Sequence, residues 1–235
     1  MHSSPSAQDY KLGLVHRPKL ADTVESQLRE RRCALVRGRG AAGKTVMVNL
    51  IAAGADYRTL PIYYLDLAPW AEREQDILGS VQNELVEFGG QSILFILDSI
   101  HRDDKFADDL FHYWKNTACG AGTRLLLVGR ETRKRVSSLL DGNPDLPPLI
   151  LHAGSDELRG VYRRIVSVDH AALNGDPPEP PAVEVESWLR TFGGKSKDGY
   201  SSADLIAFSA AARSRKNCLF NKDWTLTAAD AVEEI

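Results

Sequence analysis

Apolar residues in this chain fall into short continuous runs that alternate with helical stripes. Cys33-Ala-Leu-Val36, Leu60-Pro-Ile-Tyr-Tyr-Leu-Asp-Leu67, Ser92-Ile-Leu-Phe-Ile-Leu-Asp98, Thr123-Arg-Leu-Leu-Leu-Val128 and Leu149-Ile-Leu-His152 are the runs. Stretches of this length bounded by turn signals read as strands, Leu60–Leu67 being rich in β-formers. The continuous run Ser92–Leu97 reads as a central strand buried on both faces. Between them apolar positions recur at three- and four-residue spacing. Leu20, Val24 and Leu28 mark a helix from Leu20 to about Arg31, and Val46 to Ile51 continues as a second. Leu78, Val81, Leu85 and Phe88 mark a third from about Glu72 to Phe88, closed by Gly89-Gly90 as glycine closes helices. Phe106, Leu110 and Tyr113 mark a fourth from about Phe106 to Lys115, and residues 132–140 read as a fifth. Five strands alternating with helices predict an α/β fold, a five-stranded parallel sheet between helices.

After about residue 153 the pattern changes. Ser155-Asp-Glu-Leu opens a helix with acids in its first turn, carrying Leu158, Tyr162 and Ile165. Asn174 to Pro181 is proline-rich and predicts an extended, exposed linker. Short helices are expected over Val185–Phe192, Ala203 to about Arg213, and Thr227–Glu234. The expected organisation is a flexible N-terminal segment over 1–14, a core domain over 15–153, and a helical lid module over 154–235 with its linker at 174–184.

Composition narrows the picture a little. The 235 residues suffice for one α/β domain and a smaller module. A net charge of −3 gives no global basic field, so nucleic acid is not indicated as a partner. Cys33, Cys119 and Cys218 are scattered and odd in number, neither a disulfide framework nor a zinc pattern. That usage fits a reducing, cytoplasmic setting. The residues from Met1 to Gln8 lack the apolar core of a secretory signal, and no apolar run approaches a membrane span.

One stretch carries chemistry on its own. Gly38-Arg-Gly-Ala-Ala-Gly43-Lys44-Thr45 matches the P-loop pattern G-x-x-x-x-G-K-[ST], between a predicted strand and a predicted helix. The glycines let backbone amides turn around a phosphate, and the helix start adds partial positive charge. Lys44 can reach the β- and γ-phosphates and Thr45 can ligate Mg²⁺. The expected nucleotide-binding set is Gly38, Arg39, Gly40, Ala41, Ala42, Gly43, Lys44, Thr45 and Val46. Arg17 and Pro18 join it if the segment before the first helix closes over the base; otherwise that helix simply covers the sheet edge. Asp98, ending an apolar strand, is the acid expected to share the metal with Thr45, the plainer alternative being a cap for the next element. Arg130 stands at the end of another strand, where open parallel sheets bind ligands, and its fork suits phosphate. Lys44, Asp98 and Arg130 are thus the candidate catalytic residues. The plainer alternative for Arg130 is a solvated arginine in a loop that also holds Arg133, Lys134 and Arg135. Arg133 or Arg135 would be the arginine finger of an active motor, and Arg213 and Arg215 in the lid could reach a phosphate or simply be solvated.

The base is better read as adenine than guanine. A GTPase has glycine three places after the strand-end acid, where this chain has His101, and Asn221-Lys222-Asp223-Trp224 lacks the fourth-place aspartate of Asn-Lys-x-Asp. His16-Arg17-Pro18 before a helix, Gly38–Thr45, Ile96-Leu97-Asp98 and the strand tip Gly129-Arg130 together resemble the STAND branch of AAA+-related ATPases, which includes the NACHT and NB-ARC proteins. The resemblance spans about residues 14–215. It implies an ATP/ADP-controlled switch with Mg²⁺, closed with ADP and oligomeric with ATP, within signalling or defence proteins that carry effector and sensor regions. This chain departs from that pattern in three ways. It carries no effector or repeat array, so it reads as a truncated or stand-alone module. Ser99 follows Asp98 where an acid is common, and Asp103 and Asp104 come too late to replace it. No Gly-x-Pro occurs in the lid, Gly193-Gly194-Lys195 being the nearest stretch. The expectation is therefore a regulatory ATP/ADP-binding domain with slow or weak hydrolysis. The alternatives are an active AAA+-like ATPase acting on DNA or protein, and a nucleotide-binding scaffold that does not hydrolyse.

Overall fold

The computed structural model describes residues 18–54, 59–70, 77–87, 91–118, 122–131, 143–170, 178–196 and 199–231. The described residues fall into two compact units: one holds Lys19–Arg39 and the described residues of Val48–Leu151, the other Gly40–Met47 and the described residues from His152 on. The expected helix over 132–140, together with Arg17, Cys119, Arg133, Lys134 and Arg135, lies outside the described residues.

The order through residue 151 is α1 (Lys19–Glu30), β1 (Cys33–Gly38), α2 (Lys44–Ala52), β2 (Ile62–Asp66), α3 (Ile77–Glu87), β3 (Leu94–Asp98), α4 (Asp104–Tyr113), β4 (Arg124–Arg130) and β5 (Pro148–Leu151). The strands form one parallel sheet in the order β2-β3-β4-β1-β5. β1 and β3 are buried at every position, as their unbroken apolar runs require. Successive side chains take opposite faces. Cys33, Leu35, Phe95, Leu97, Leu125 and Leu127 pack with Val81 and Leu85 of α3 and with Ala107, Leu110 and Phe111 of α4. Ala34, Val36, Leu94, Ile96, Leu126 and Val128 are buried on the other face. α1 packs against β1, and its stripe Ala21, Val24 and Leu28 is wholly buried. Each such large aliphatic side chain contributes roughly 1.5–3 kcal/mol, which exceeds what helix propensity supplies to a helix this short.

α4 begins at Asp104, two residues ahead of the apolar stripe, because the Asp103 carboxylate accepts from the Phe106 amide at 2.9 Å and caps it. It continues through a π-helical turn, Trp114–Ala118.

The second unit contains α5 (Ser155–His170), α6 (Ala182–Phe192), the antiparallel pair β6 (Gly193–Ser196) and β7 (Gly199–Ala203), α7 (Leu205–Ser214) and α8 (Lys216–Phe220). Its core is aromatic. Trp188 lies 5.2 Å from Phe208 and Tyr162 lies 5.6 Å from Trp224, centroid to centroid, distances at which offset and edge packing are favourable. The Trp188 indole donates to the Trp224 carbonyl at 2.9 Å, so the buried N–H is satisfied.

Three features here differ from the sequence expectation. The hairpin replaces the loop and the helix start expected at Ala203; Gly193-Gly194-Lys195-Ser196 has no apolar alternation from which a strand could be read. Asp204 then caps α7 through the amides of Ile206 and Ala207, which fixes the helix start at Leu205. The proline segment is not a free tether where it is described. Pro180 is buried. Arg159 reaches Glu179 and the Pro180 carbonyl, both at 2.9 Å, Arg163 also pairs with Glu179, and the Tyr162 hydroxyl donates to the Pro178 carbonyl at 2.6 Å. Burial, with the Glu179 charge adding to it, pushes the Tyr162 phenol up to about 12. Lastly, the helix expected from Thr227 is a short turn, Ala229–Ala231, over its described part; Asp230 binds the Thr227 amide and hydroxyl, a local closure that competes with helix.

Candidate functional site

The P-loop follows directly from β1. Ala41 and Gly43 both have left-handed backbones, with φ 58° and 87°. Glycine takes that conformation freely; for alanine it costs roughly 1–2 kcal/mol. The loop is held there from the second unit's own side. The Leu205 amide, at the first turn of α7, donates to the Ala41 carbonyl at 3.2 Å. The Leu205 side chain lies in ordinary contact range of Gly43, 3.4 Å from where a Cβ would stand. The Gly43 carbonyl accepts from Met47 at 3.0 Å and opens the ladder of α2. Left-handed residues at alternate positions before a helix start turn successive amides toward one side, the concavity that takes phosphate. Ala42 is buried, Arg39, Lys44 and Val46 are half-buried, and Gly40 and Thr45 are exposed.

The carboxyl ends of the strands carry the other candidates. Asp66 and Asp98 pair across β2 and β3, and Gly38 pairs with Arg130 across β1 and β4. Strand alternation puts Tyr64, Asp66, Asp98 and Arg130 on the same face of the sheet, two-residue steps apart. Asp98 is 8% exposed. Its Oδ1 accepts from the Ser99 amide at 2.6 Å and its Oδ2 from the Tyr64 hydroxyl at 2.9 Å. Each oxygen keeps a second lone pair, so the carboxylate is a hard donor of the kind Mg²⁺ takes. Burial, then the Asp98 charge and hydrogen bond, then Asp66, hold the Tyr64 phenol well above the ordinary range, so Tyr64 acts as a neutral donor. Ser99 is itself left-handed, at φ 59°, and leads into the turn Ile100–Arg102. Its amide is spent on Asp98, and no carboxylate stands directly after Asp98 in the sequence, Asp103 being the next acid.

Arg130 is exposed at the end of β4. Its amide donates to His101 Nδ1 at 3.3 Å, and the Glu131 amide binds the Gly38 carbonyl at 3.0 Å. The arginine tip is thereby fastened on both sides, to the turn after Asp98 and to the first P-loop glycine. On the opposite face of the sheet Arg37 is buried to 3% exposure and reaches Asp104 at 3.7 Å. Arg215, a lid cation in the sequence reading, is paired with Asp223 at 2.9 Å.

No protein-family model matches this sequence, and no curated protein matches it. Among solved structures the chain is similar to C. elegans PCH-2, an AAA+ ATPase, with a TM-score of 0.58 and 11% identity over 96% of this chain and 70% of that one. The fold is AAA+-like. That likeness concerns the fold alone, a five-stranded parallel sheet flanked by helices with a helical part after it.

Among the described residues no helix is long and apolar enough to cross a membrane, and no group of three or more His, Cys, Asp or Glu side chains is arranged to hold a metal. A P-loop metal site needs no such group, since phosphates, water and one or two protein oxygens complete it.

Sequence reasoning missed Tyr64 and His101 as partners of Asp98 and Arg130 at the strand ends, Leu205 as a partner of Ala41, and the buried Arg37. For Arg37 a signal existed: it is the one charged residue in the apolar run Cys33–Gly38. For Leu205 there was none, because its role depends on where α7 starts.

Proposed function

We propose that this chain is an ATP/ADP-binding switch domain with slow or absent hydrolysis. The observation that carries the proposal is the P-loop itself: the Gly38–Thr45 motif, running from β1 into α2, with Ala41 and Gly43 in the left-handed conformation that turns amides toward a phosphate. In this reading the loop amides hold the phosphates and Lys44 neutralises the β- and γ-oxygens. Thr45 and Asp98 are the residues that would hold Mg²⁺, which when bound supplies further neutralisation of phosphate charge. Arg130, fastened beside Gly38, distinguishes a γ-phosphate from its absence. Slow chemistry follows from Ser99: a water near the γ-phosphate finds no carboxylate directly after Asp98 to accept its proton.

The arginine tip also supports the finer reading of a STAND-type, NACHT- or NB-ARC-like domain, which would couple nucleotide state to protein partners or self-assembly in signalling or defence. The AAA+-like fold keeps a second reading in play, an active ATPase working on DNA or protein. One experiment separates them. Binding of ATP and ADP, turnover, and assembly state are measured for the parent and for Lys44→Ala. The switch reading expects tight Mg²⁺-dependent binding, turnover slower than about one per minute against the roughly 1–100 per second of phosphoryl-transfer enzymes such as kinases, and loss of binding in Lys44→Ala. Fast turnover stimulated by DNA or a protein substrate supports the second reading. Absence of binding at millimolar nucleotide overturns both.

A further inference from the structure

Tyr64 has no evident structural reason to be a tyrosine. It lies on the edge strand β2 and is 51% exposed, so core packing does not require its ring there. Its hydroxyl nevertheless makes a 2.9 Å hydrogen bond, and the acceptor is Asp98 Oδ2. The register explains how. Tyr64 pairs with Ile96, and Asp66 with Asp98. Tyr64 is therefore the diagonal neighbour of Asp98 on the same face, roughly 7–8 Å away between backbones. Only a long side chain ending in a donor spans that diagonal. A phenylalanine would match the shape and lack the donor. Asp66, directly opposite Asp98, is a like charge and disfavours a fixed carboxylate at this position. The Ser99 amide holds only Oδ1. Tyr64 holds the other oxygen and so fixes the carboxylate plane about its χ2 bond.

We propose that Tyr64 is a positioning residue for Asp98: its hydroxyl locks the carboxylate in the orientation that receives the Mg²⁺ of a bound Mg-nucleotide. The inference rests on the reading of the chain as a Mg²⁺-dependent nucleotide-binding domain, and it deepens that reading by adding a residue from the sheet edge. Partners that orient a ligating carboxylate typically tune metal affinity by about 10–100-fold. The geometry here, one of two hydrogen bonds on a single ligand, puts Tyr64 at the lower end of that range.

The test uses the whole chain and a fluorescent ADP analogue, with Mg²⁺ titrated at fixed nucleotide and a parallel titration in EDTA. Four proteins are compared: parent, Tyr64→Phe, Asp98→Asn and the double variant. Tyr64→Phe is expected to raise the Mg²⁺ midpoint about 10-fold, to leave affinity in EDTA unchanged, and to add nothing further in the Asp98→Asn background. A merely structural role would weaken binding equally with and without Mg²⁺ and would persist in the double variant; that outcome overturns the proposal. So does a Mg²⁺ midpoint within two-fold of the parent in Tyr64→Phe while Asp98→Asn shifts it, and in that case the nucleotide-switch reading stands without Tyr64. Absence of ADP binding by the parent overturns both together. Thermal unfolding of each variant confirms the fold, since Tyr64→Phe removes one half-exposed hydroxyl and no packing.

Discussion

The guanidinium of Arg37 crosses the neighbouring strand directly over Gly129. The two residues pair across β1 and β4, and a Cβ on Gly129 would stand 2.5 Å from Arg37 Nη1 and 2.6 Å from Ile100 Cγ1. Glycine at this strand tip is thus a matter of space and not of backbone freedom. The clearance lets a buried arginine, one residue before the P-loop, reach Asp104 at the start of α4. Gly129→Ala should destabilise the fold by about 1–3 kcal/mol, the usual cost of overpacking a core. The arginine end can yield, but Ile100 is fully buried and cannot. A urea unfolding series checks this. Adding Ile100→Val to Gly129→Ala should recover part of the loss, and full recovery from Arg37→Met alone would mean that Ile100 is not the obstacle.

A second prediction concerns the bond from the Leu205 amide to the Ala41 carbonyl. Leu205 is the first residue of α7, and Asp204 before it is extended, with φ −80° and ψ 97°. Proline is tolerated at that helix position and after an extended residue. Leu205→Pro therefore deletes the donor without breaking the helix, whereas Leu205→Ala deletes only the side chain on Gly43. If the bond helps hold Ala41 left-handed, Leu205→Pro should lower stability by about 0.5–1.5 kcal/mol, the net worth of one hydrogen bond. It should also weaken ADP binding beyond the effect of Leu205→Ala. Equal ADP affinity in the two variants would mean that the bond does not shape the loop. Thermal unfolding and calorimetric titration measure both effects.

Much of this was written in local pattern. β3 announced itself as an unbroken apolar run because a strand buried on both faces admits no polar alternation, and β1 as the shorter run Cys33–Val36 ahead of the buried Arg37. The P-loop was legible because its geometry needs particular residues at fixed spacing. Asp98 stood out in the sequence because it is a lone acid at the end of the apolar run Ile93–Leu97, and the structure places it, largely buried, at the carboxyl end of β3. What escaped depends on register and on elements distant in sequence. Tyr64 meets Asp98 only because Asp66 pairs with Asp98; a shift by one residue would put the tyrosine on the other face. Leu205 meets Ala41 across more than 160 positions, through a helix start set by Asp204. The β6–β7 hairpin escaped for a different reason: glycine, lysine and serine carry no period. Pro178–Pro181 resembled a linker because proline composition reports backbone shape and not the arginines that reach it.

Those arginines make a pH-dependent contribution. Desolvation raises the Glu179 carboxyl, but hydrogen bonds from Arg163 and Arg159, with their charges, outweigh it and hold it below the ordinary glutamate range. A carboxyl depressed on folding adds stability above its unfolded pKa, and that stability is lost as pH falls through the folded value. Glu179 is 51% exposed, so the effect is that of a surface network, about 1 kcal/mol or less. Glu179→Gln should therefore destabilise the protein slightly at neutral pH. Its difference from the parent should shrink as pH drops below the ordinary glutamate pKa and vanish in acid. A difference that stays constant from pH 7 to pH 3 would assign the effect to packing of Pro178–Pro181 and not to the ion pairs.

Arg130 tests whether the site reads the γ-phosphate. Its backbone is fixed by His101 and its side chain is exposed on the sheet face that carries Asp98. A charge-assisted hydrogen bond to phosphate is worth about 1.5–3 kcal/mol, or roughly 10–100-fold in affinity. Such a bond would act on ATP and not on ADP. Arg130→Ala should therefore weaken ATP binding within that range and leave ADP binding nearly unchanged. Arg130→Lys should restore only part of the difference, because an ammonium is a point charge and cannot grip two oxygens as the guanidinium fork does. If both nucleotides weaken equally, Arg130 acts on the shared α- and β-phosphates or on the P-loop backbone beside Gly38. The switch would then have to take its γ-phosphate signal from another cation. Competition titrations of ATP against ADP, in parent and both variants, decide between these outcomes.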